Sequence, residues 1–523
     1  MLPKGLGITE LLQLSISRGT SLPAVTGLLL GAARRAGRCV VAPLVGLGVA
    51  LLVAAPANGA AASTPSAVAR PVSLTVDRAH ERTTVPTDFL GLSLEVKHLA
   101  LTGSYASRGN LPGLLRSLSG GLVRFGGVTA DTQVAWVGDS GTLPPWASTG
   151  LSPADFTGVA RLARETRWRV QLALNLGHYD PQAAASEVSA AYAALGDNLA
   201  GVQFGNEPDA LLRPDHLRTD PWTYAQYAPQ AGAYRAAVQQ AVPEIPIEGP
   251  DVSSGLSHLD WLRMLAALDP PALLTAHYYS LSCMDQPTIA KLIAPRIRAA
   301  AGRSLRRLGA IARAHHLPVR VDETNNISCG GKAGVSNTFA SALWATDYAT
   351  QAMSSGVSGL NFHGNVATPT GYSPLVALTP SDKIAGRLNP QAEWYALLLA
   401  HQLVGSRPLP VRARPGGLNL SYSAFAAPRK RLQLVVVNEE VAGSRPVMVH
   451  LPVGPDLTSG SVLRLSAPSL ASTTGVRLGQ TAVAADGSWR PSRRLPPVHV
   501  AKGTASFLIP PSSAALVTLA PHR

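Results

Sequence analysis

Two glutamates, each beside a short apolar run, have the residue type and the setting that acid–base chemistry needs. Glu207 lies in the segment Gln203-Phe-Gly-Asn-Glu-Pro208, and Glu323 closes Val319-Arg-Val-Asp-Glu323. Glutamate is seldom buried without a partner, so each of the two caps a helix, forms an ion pair or works in a cleft. Two carboxyls cleave a glycosidic bond when one protonates the leaving oxygen and the other attacks the anomeric carbon or activates water. The sequence therefore predicts a paired-carboxylate site, with caps or ion pairs as the structural alternative.

The elements that must position this pair are short apolar runs that alternate with longer segments of helical period. This alternation is typical of strand–helix units around a parallel sheet, and eight repeats predict a closed (β/α)8 TIM barrel. Barrel active sites lie at the C-terminal ends of the strands, where the predicted fourth strand places Glu207 and the seventh places Glu323. The predicted strands are 89–95, 121–127, 169–177, 201–207, 246–252, 273–280, 319–323 and 359–364, and the predicted helices are 152–165, 182–195, 223–242, 256–268, 289–315 and 337–355.

The texture of the chain changes near residue 403 to short alternating runs divided by proline and glycine. Such runs indicate antiparallel strands, so we expect residues 403–523 to form a β-sandwich beside a catalytic barrel of residues 87–402. Residues 71–86 have the same texture, and we expect them to add an N-terminal strand to the sandwich. The clearest C-terminal runs are 418–423, 432–437, 446–451 and 506–509.

Residues 1–57 have the pattern of a secretory signal peptide. Three arginines between residues 34 and 38 precede an apolar run that ends at Ala55-Pro-Ala57, where small residues suit cleavage. The alternative is a retained membrane anchor, because the flanks are unusually long although the run is shorter than the roughly 20 residues of a spanning helix. We expect a secreted or extracytoplasmic protein, with residues 58–70 as a flexible leader and no stable membrane insertion once the signal is removed.

The chain is basic, with 45 Lys and Arg against 31 Asp and Glu and a net charge of +14. Removal of residues 1–57 takes away five basic residues and one acidic residue, which leaves a net charge of +10. A positive surface favours encounter with an anionic polymer such as an acidic polysaccharide. No run of Lys and Arg interleaved with aromatic residues occurs, so nucleic acid is disfavoured as a partner.

Cys283 and Cys329 are the cysteines that follow the predicted signal, and each lies a few residues beyond a predicted strand. An oxidising compartment permits a disulfide, although the geometry that a disulfide requires cannot be taken from sequence. Neither spacing resembles a metal site. We therefore expect a disulfide and no metal.

Several motifs follow each other in a fixed order along the predicted barrel. Asn206-Glu-Pro208 precedes His277-Tyr-Tyr279, which precedes Glu323-Thr-Asn325 and the glycine pair Gly330-Gly331. In this order they resemble glycoside hydrolase family 79, the family of β-glucuronidases and heparanases within the clan of barrel-fold retaining glycosidases. The resemblance covers most of the chain after the predicted signal. Its further marks are Leu122-Val-Arg-Phe-Gly-Gly127, Glu248-Gly-Pro-Asp251 and Ser336-Asn-Thr-Phe339.

The resemblance implies a catalytic role for three residues: Glu207 as general acid/base, Glu323 as nucleophile and Tyr279 as the residue that orients the nucleophile. It also implies that Asn206 binds the 2-hydroxyl of the sugar, with a turn-forming asparagine as the alternative. His277 and Tyr279 are two residues apart on the sixth predicted strand, so both side chains can face the same side. We expect His277 to bind substrate, with an aromatic core pair as the alternative.

By the same resemblance, Glu95 holds hydroxyls of the terminal sugar, and a uronate carboxylate is bound by Gly330, Gly331 and Tyr372. Glycine lets the backbone approach an anion closely and present N–H donors. An ion pair with Arg124 is the alternative for Glu95, and a plain turn is the alternative for the two glycines.

Two departures from the family pattern favour the microbial exo-acting branch over the endo-acting heparanases. Val128 stands where the family often has a polar side chain, so one hydroxyl contact is either missing or supplied by Thr129. The loop after Glu323 is one residue longer than in the animal heparanases and carries Cys329.

We therefore expect a secreted retaining hydrolase that removes β-linked glucuronic acid from a glycan or glycoside without a metal or organic cofactor. The alternatives are endo-cleavage of a glucuronic-acid polymer, a non-catalytic carbohydrate-binding protein on a degenerate barrel, and a glycosidase of the same clan for neutral sugars. The sequence carries no signal that decides the oligomeric state.

Overall fold

The computed structural model of the protein describes residues 69–212, 217–253, 259–369 and 371–522. The predicted signal peptide and all but the last two residues of the predicted leader lie outside these ranges. Within them, no helix combines the length and the apolar character that crossing a bilayer requires.

Eight parallel strands form the barrel, which confirms the predicted fold class. The strands follow each other around the sheet in chain order, and the eighth pairs with the first through Leu360 and Leu90. The fourth and fifth strands meet at a single bridge between Val202 and Ile247, so the barrel is nearly closed. The barrel strands are Leu90–Glu95, Gly121–Gly126, Trp168–Leu174, Leu199–Phe204, Glu248–Val252, Leu273–Leu281, Val319–Ile327 and Gly359–Gly364.

Helices with an apolar inner face surround the barrel. In the helix Asp155–Thr166 the buried residues recur at three- and four-residue spacing, as in Phe156, Val159 and Ala163. The predicted helix 289–315 is instead two helices, because Pro295 starts the second one at the position where its missing N–H is not needed. The α-helices are Leu99–Ser104, Leu111–Ser117, Thr129–Thr132, Asp155–Thr166, Pro181–Leu195, Tyr224–Ala241, Leu259–Leu268, Ile289–Leu292, Pro295–Ala314, Phe339–Met353, Pro380–Ala385 and Ala392–His401. Short 3-10 helices lie at Val96–His98, Gly138–Ser140, Gly196–Asn198, Pro208–Ala210 and Cys283–Asp285, and short strands at Val134–Trp136, Thr149–Leu151, Leu375–Val376 and Asn389–Pro390.

Two sheets form a β-sandwich from the C-terminal region and one N-terminal strand. Residues Arg70–Val76 lie between Val411–Ala413 and Val447–Pro452 in the five-stranded sheet. Apolar residues from both sheets, such as Val72 and Leu434, share one core. The five-stranded sheet is completed by Thr504–Ile509 and His499–Ala501, and the six-stranded sheet runs in the order Arg407–Leu409, Leu420–Ala427, Arg431–Asn438, Ser513–Ala520, Ser459–Ser466 and Arg477–Leu478.

The six-stranded sheet is buried on both faces and joins the sandwich to the barrel. Side chains alternate along a strand, so Leu434 faces the sandwich core while Val435 and Val437 join the barrel core. The barrel helix Phe339–Met353 contacts the face of this sheet that joins the barrel core. The helix Ala392–His401 contacts two strands of the same sheet, Ser459–Ser466 and Arg477–Leu478. Because these helices follow the seventh and eighth barrel strands, the sandwich supports the side of the barrel that carries Glu323.

The ends of three barrel strands differ from the prediction by three residues or more, and the third strand ends at Leu174 instead of residue 177. The fourth strand ends at Phe204, three residues before Glu207. The seventh strand continues through Glu323 to Ile327, so the prediction that Glu323 ends its strand is wrong. The strand continues because its last polar side chains have buried partners: Asn325 donates to the His363 carbonyl at 2.8 Å, and the next residue donates to Glu393.

The contact between sandwich and barrel can be tested at Phe425, which is fully buried in the core that the two share. Phe425→Ala is expected to cost about 3–5 kcal/mol, because it removes apolar contacts and leaves a cavity. The measurement is thermal denaturation followed by circular dichroism. Leu508→Ala is the control, since Leu508 is 40% exposed on a sandwich strand and should change stability little. Equal small losses for both variants would show that the sandwich does not stabilise the barrel.

Candidate active site

The guanidinium of Arg124, on the second barrel strand, is completely buried at the centre of the site. Its Nη1 donates to Glu323 Oε2 at 2.9 Å, and its Nη2 donates to Asn206 Oδ1 at 2.9 Å and to Asp251 Oδ2 at 2.5 Å. Its Nε donates to Gln203 Oε1 at 3.0 Å. A guanidinium holds its N–H groups in one rigid plane, so Arg124 fixes two carboxylates and two amides relative to each other.

The pKa values of two buried aspartates near Arg124 are shifted in opposite directions. Burial alone would raise the pKa of Asp251, but Arg124 and His277 outweigh it and hold that pKa far below its usual value. Burial raises the pKa of Asp322 well above its usual value, and the charge on Asp251 raises it further. Asp322 also accepts a hydrogen bond from Gln203. Asp251 therefore carries the negative charge that balances Arg124, while Asp322 keeps its proton.

Glu323 is a buried, ionised carboxylate with both oxygens held. Oε1 accepts from the Tyr279 hydroxyl at 2.8 Å, and Oε2 accepts from Arg124. His363 Nδ1 lies 3.5 Å from Oε2, and His277 Nδ1 lies 3.8 Å from Oε1. Burial alone would raise the pKa of Glu323, but His363, His277 and Arg124 lower it to about 2. The carboxylate is therefore negative at any ordinary pH and is oriented from two sides.

Glu207 has a different environment, because its side chain is 30% exposed to the cleft. Its backbone is in the left-handed region, with φ 49° and ψ 54°, and its N–H donates to the Asp251 carbonyl at 3.1 Å. A non-glycine residue takes this conformation only where the surroundings impose it, and here it turns the side chain toward the site. One oxygen of Glu207, one oxygen of Glu323 and a His277 nitrogen all lie within 4.8 Å of one another.

His277 connects Glu207 to the buried aspartate. Its Nδ1 lies 2.9 Å from Glu207 Oε1, and its Nε2 lies 2.9 Å from Asp251 Oδ1. Burial alone would lower the pKa of His277, but Asp251 and Glu323 raise it well above its usual value. The ring is therefore an imidazolium that donates to both partners, and its buried side chain contacts the carboxyl groups of Glu207 and Asp251.

Glu95 does not pair with Arg124, which was the alternative to a binding role. Its Oε2 accepts from the Thr129 N–H at 3.1 Å and from Thr129 Oγ1 at 2.5 Å, and its Oε1 lies 3.7 Å from His363 Nε2. Burial alone would raise the pKa of Glu95, but the contacts to His363 and Thr129 lower it. A Cβ on Gly127 would lie 2.5 Å from this carboxylate, so only glycine fits there. Glu95 is held as an anion at the cleft wall.

The two loop glycines occupy different positions. Both have left-handed backbones, with φ 82° at Gly330 and 78° at Gly331. The Gly331 N–H donates to the Ser328 carbonyl at 3.1 Å, and a Cβ on Gly331 would lie 2.8 Å from Tyr372. Gly330 and Tyr372 line the cleft, and the Tyr372 hydroxyl lies 3.3 Å from that of Tyr279. Of the predicted carboxylate-binding residues, Gly330 and Tyr372 reach the cleft directly, whereas Gly331 shapes the loop.

A disulfide between Cys283 and Cys329, with a Cα–Cα distance of 5.9 Å, joins the loops after the sixth and seventh strands. The Cys283 backbone N–H also donates to Ser328 Oγ at 3.2 Å. Because Cys329 precedes Gly330 directly, the disulfide fixes the loop that forms this rim of the cleft.

Several of these groups, among them Glu95, Glu207 and Glu323, line one cleft of about 630 Å³ at the C-terminal ends of the barrel strands. Two groups of side chains at the site have the donor types of a metal site: Glu207 and Glu323 with His277, and Asp251 and Asp322 with His277. Oxygens of Glu207, Glu323 and Asp251 already accept hydrogen bonds from Arg124, His277 or Tyr279, so a cation would have to displace those donors. The residues that line the cleft are Glu95, Val128, Asn206, Glu207, Ala210, Ser253, Tyr279, Leu281, Ser282, Glu323, Ser328, Cys329, Gly330, His363 and Tyr372.

Four further residues belong to the site although no role was predicted for them from the sequence. Three of them share a sequence signal with Arg124, because each is a polar residue within a strand that is otherwise buried. These three are Asp251, Asp322 and His363. Asp131 has no such signal, because it lies in a short helix. It accepts from the Asn206 N–H at 2.7 Å and thereby holds the turn that precedes Glu207.

Comparison with protein-family models gives no match, and neither does comparison with curated protein sequences. Solved structures share the fold at low identity. A 4-O-α-L-rhamnosyl-β-D-glucuronidase from Fusarium oxysporum 12S aligns over 86% of this chain and 100% of its own, with a TM-score of 0.72 and 19% identity. A family 51 arabinofuranosidase from Xanthomonas axonopodis pv. citri aligns over 86% and 99%, with a TM-score of 0.61 and 15% identity. The chain thus has the fold of barrel glycoside hydrolases.

The disulfide can be tested by Cys329→Ser. Closure of a loop with a sequence separation of 46 residues is expected to contribute about 3–4 kcal/mol, mainly by restricting the unfolded chain. The variant should therefore unfold at a lower temperature than the wild type under non-reducing conditions. Dithiothreitol should lower the wild-type midpoint to that of the variant and leave the variant unchanged. A wild-type midpoint that ignores the reductant would contradict a stabilising role.

Proposed function

We propose that the protein is a retaining glycoside hydrolase that removes β-linked glucuronic acid from glycans or glycosides in an extracytoplasmic compartment. The observation that carries the proposal is the pair Glu207 and Glu323, whose carboxylate oxygens approach within 4.8 Å in two different environments. Retaining enzymes hold their carboxyls about 5–5.5 Å apart, whereas inverting enzymes leave about 6.5–9.5 Å for a water molecule. The close approach therefore favours retention.

In the first proposed step, Glu323 attacks the anomeric carbon and the glycosidic bond breaks. The leaving oxygen takes the proton of Glu207, and a glycosyl ester to Glu323 forms. Because His277 donates to Oε1 of Glu207, Oε2 is the oxygen that carries this proton. In the second step, water gives its proton to Glu207 and its hydroxyl to the anomeric carbon, which releases Glu323.

Three contacts support these roles. Arg124 and Tyr279 bind the two oxygens of Glu323 and hold it in position as an anion. Arg124 also binds the oxygen of the Asn206 side chain, which directs the amide NH2 as the donor for a sugar 2-hydroxyl. Hydrogen bonds at the 2-hydroxyl strengthen in the transition state and so lower the barrier.

Glucuronate as the sugar is supported by three residues that line the cleft. Gly330 and Tyr372 line the cleft there, beside His363. Burial alone would lower the pKa of His363, but Glu323 and Glu95 raise it, so this side chain supplies positive charge. The resemblance to glycoside hydrolase family 79 assigns the carboxylate to this loop. The Fusarium structure with the same fold has β-D-glucuronidase in its name.

The extracytoplasmic location is supported by two features. The N-terminal residues have the pattern of a signal peptide. The Cys283–Cys329 disulfide is of the kind that persists in oxidising compartments.

The proposal is tested by hydrolysis of 4-nitrophenyl β-glucuronide beside 4-nitrophenyl β-glucoside, with the full chain and its Glu323→Gln variant. A kcat/KM for the glucuronide at least 100-fold above that for the glucoside is expected, and Glu323→Gln should reduce it by at least 10⁴-fold because glutamine cannot form the glycosyl ester.

Rescue by azide tests the role of Glu207 as the general acid/base. Glu207→Gln should recover turnover in azide with a β-glycosyl azide as product, because azide needs no general base. Equal cleavage of glucoside and glucuronide would keep the mechanism and overturn the glucuronate assignment. Undiminished turnover by Glu323→Gln would overturn the mechanism itself.

Tyr279→Phe tests the orientation of the nucleophile. Loss of the hydroxyl removes one donor from Glu323, so we expect kcat to fall about 10²-fold. The hydrogen bond from Tyr279 lowers the pKa of Glu323, so its removal raises that pKa and moves the acid limb of the kcat/KM profile to higher pH. Tyr278→Phe is the control, because Tyr278 stacks on Tyr348 away from the carboxylates. An unchanged acid limb would show that Tyr279 has no effect on Glu323.

A further inference from the structure

A second pocket of about 470 Å³ opens on the same face of the barrel as the catalytic cleft. One wall comes from residues that directly follow the third strand, from Asn175 to Asp180. The other comes from Ala135 and Trp136 and from Pro144 and Trp146, which follow the second strand. Both walls thus lie at the C-terminal ends of strands, where barrel proteins bind their ligands.

The pocket has aromatic walls that are open to solvent. Trp146 stacks on His178 with ring centroids 3.6 Å apart and an angle of 9° between the planes. Tyr179 is 49% exposed. Among the large apolar side chains that are exposed in the described part of the structure, it is the one that is aromatic. Trp136 donates through Nε1 to Ser186 Oγ at 3.0 Å, which holds its ring in place. Flat aromatic surfaces of this kind pack against the C–H face of a sugar ring.

The floor of the pocket is the side chain of Glu187, which is only 6% exposed. Among the residues that the structure describes, none forms a hydrogen bond or an ion pair with its carboxyl group. A buried polar group without a partner is costly, and at the bottom of a pocket it indicates a ligand that supplies the partner. Burial raises the pKa of Glu187 to about 8, so the carboxyl is both a donor and an acceptor for a hydroxyl group.

The charges of the lining select the kind of sugar. The described residues that line the pocket include two acids, Asp180 and Glu187, and no lysine or arginine. Burial and the nearby Arg218 lower the pKa of His178, so its ring is neutral. The described lining therefore offers a uronate carboxylate no cationic side chain, whereas the hydroxyls of a neutral sugar have a suitable partner in Glu187.

A short segment of the chain connects this pocket with the catalytic cleft. Val128 lines the cleft, and Ala135, seven residues later, lines the second pocket. Between them, Asp131 accepts from the N–H groups of Asn206 and of Gly177, each at 2.7 Å, and so ties the acid–base turn to the loop that begins the pocket wall. The walls of the catalytic cleft and of the second pocket are therefore joined through one short, hydrogen-bonded segment of the chain.

We propose that the pocket is a subsite for a neutral pyranose unit of the glycan whose glucuronic acid occupies the catalytic cleft. This inference rests on the proposed function, because it places the second sugar on the same substrate. The sugar ring lies against Trp146 and Tyr179, and one of its hydroxyls exchanges hydrogen bonds with Glu187. The enzyme then recognises the neutral sugars around a glucuronate as well as the glucuronate itself.

The test compares 4-nitrophenyl β-glucuronide with oligosaccharides that contain neutral sugars beside β-glucuronate. Suitable probes are hyaluronan tetrasaccharides and gellan oligosaccharides. Trp146→Ala, Tyr179→Ala and Glu187→Leu are each expected to lower kcat/KM on the preferred oligosaccharide about ten-fold through KM, because each removes one contact to the sugar. Hydrolysis of the aryl glucuronide should stay within two-fold of the wild type.

Two matched variants separate binding from folding. Glu187→Gln keeps a donor and an acceptor on the same shape and should retain most of the oligosaccharide activity that Glu187→Leu loses. Leu268→Ala removes an even more exposed apolar side chain, 73% exposed at the end of the helix Leu259–Leu268, and should change the hydrolysis of neither substrate. Equal losses on both substrates, or no loss on any oligosaccharide, would overturn the subsite.

Binding is measured separately by titration calorimetry of the same oligosaccharides into the full-length Glu323→Gln variant, with and without Trp146→Ala. The binding measurement does not depend on turnover. A protein that does not hydrolyse glucuronides is therefore distinguishable from a protein whose pocket does not bind the sugar. Binding that Trp146→Ala weakens about ten-fold supports the subsite even if no glucuronide is cleaved. Absence of binding would overturn it, and preferential binding of a chitosan tetramer would overturn its assignment to a neutral sugar.

Discussion

The buried guanidinium of Arg124 is the interaction on which the rest of the site depends. Burying several carboxyl groups together is costly unless a cation and hydrogen bonds compensate them, and removal of one partner leaves the others uncompensated. Arg124 touches Glu323, Asp251 and Asn206 with one rigid group. The barrel brings these residues together from four different strands or the turns after them, so the geometry of the site and the closure of the barrel require each other.

Around this centre, environment rather than residue type separates the two glutamates. Glu323 lies inside a buried strand, where positive neighbours outweigh burial and keep it ionised. Glu207 lies in a strained turn, is partly exposed and contacts His277. A pair of carboxyls in unlike surroundings can divide the tasks of nucleophile and acid, which is the requirement of two-step glycoside cleavage.

The sandwich and the rim loops stabilise this arrangement from outside. The six-stranded sheet packs on the helices that follow the seventh and eighth strands, and Glu393 on the second of these helices accepts hydrogen bonds from Asn325 and Asn326. The Cys283–Cys329 disulfide holds the loop that follows the seventh strand. The polar end of the seventh strand is thus supported from its helix side and from its loop side, which keeps Glu323 within reach of its donors.

The sequence by itself determined the order of strands and helices, the two glutamates and the short motifs around them, because hydrophobic period and local turns are encoded within a few residues. Only the tertiary structure decided which groups meet. Arg124 pairs with Asp251 and Glu323 and not with Glu95, although all four are polar residues in or beside barrel strands. The aromatic pocket likewise combines residues from separate loops. Such choices depend on distances through space between segments far apart in the chain, and these are fixed only when the barrel closes.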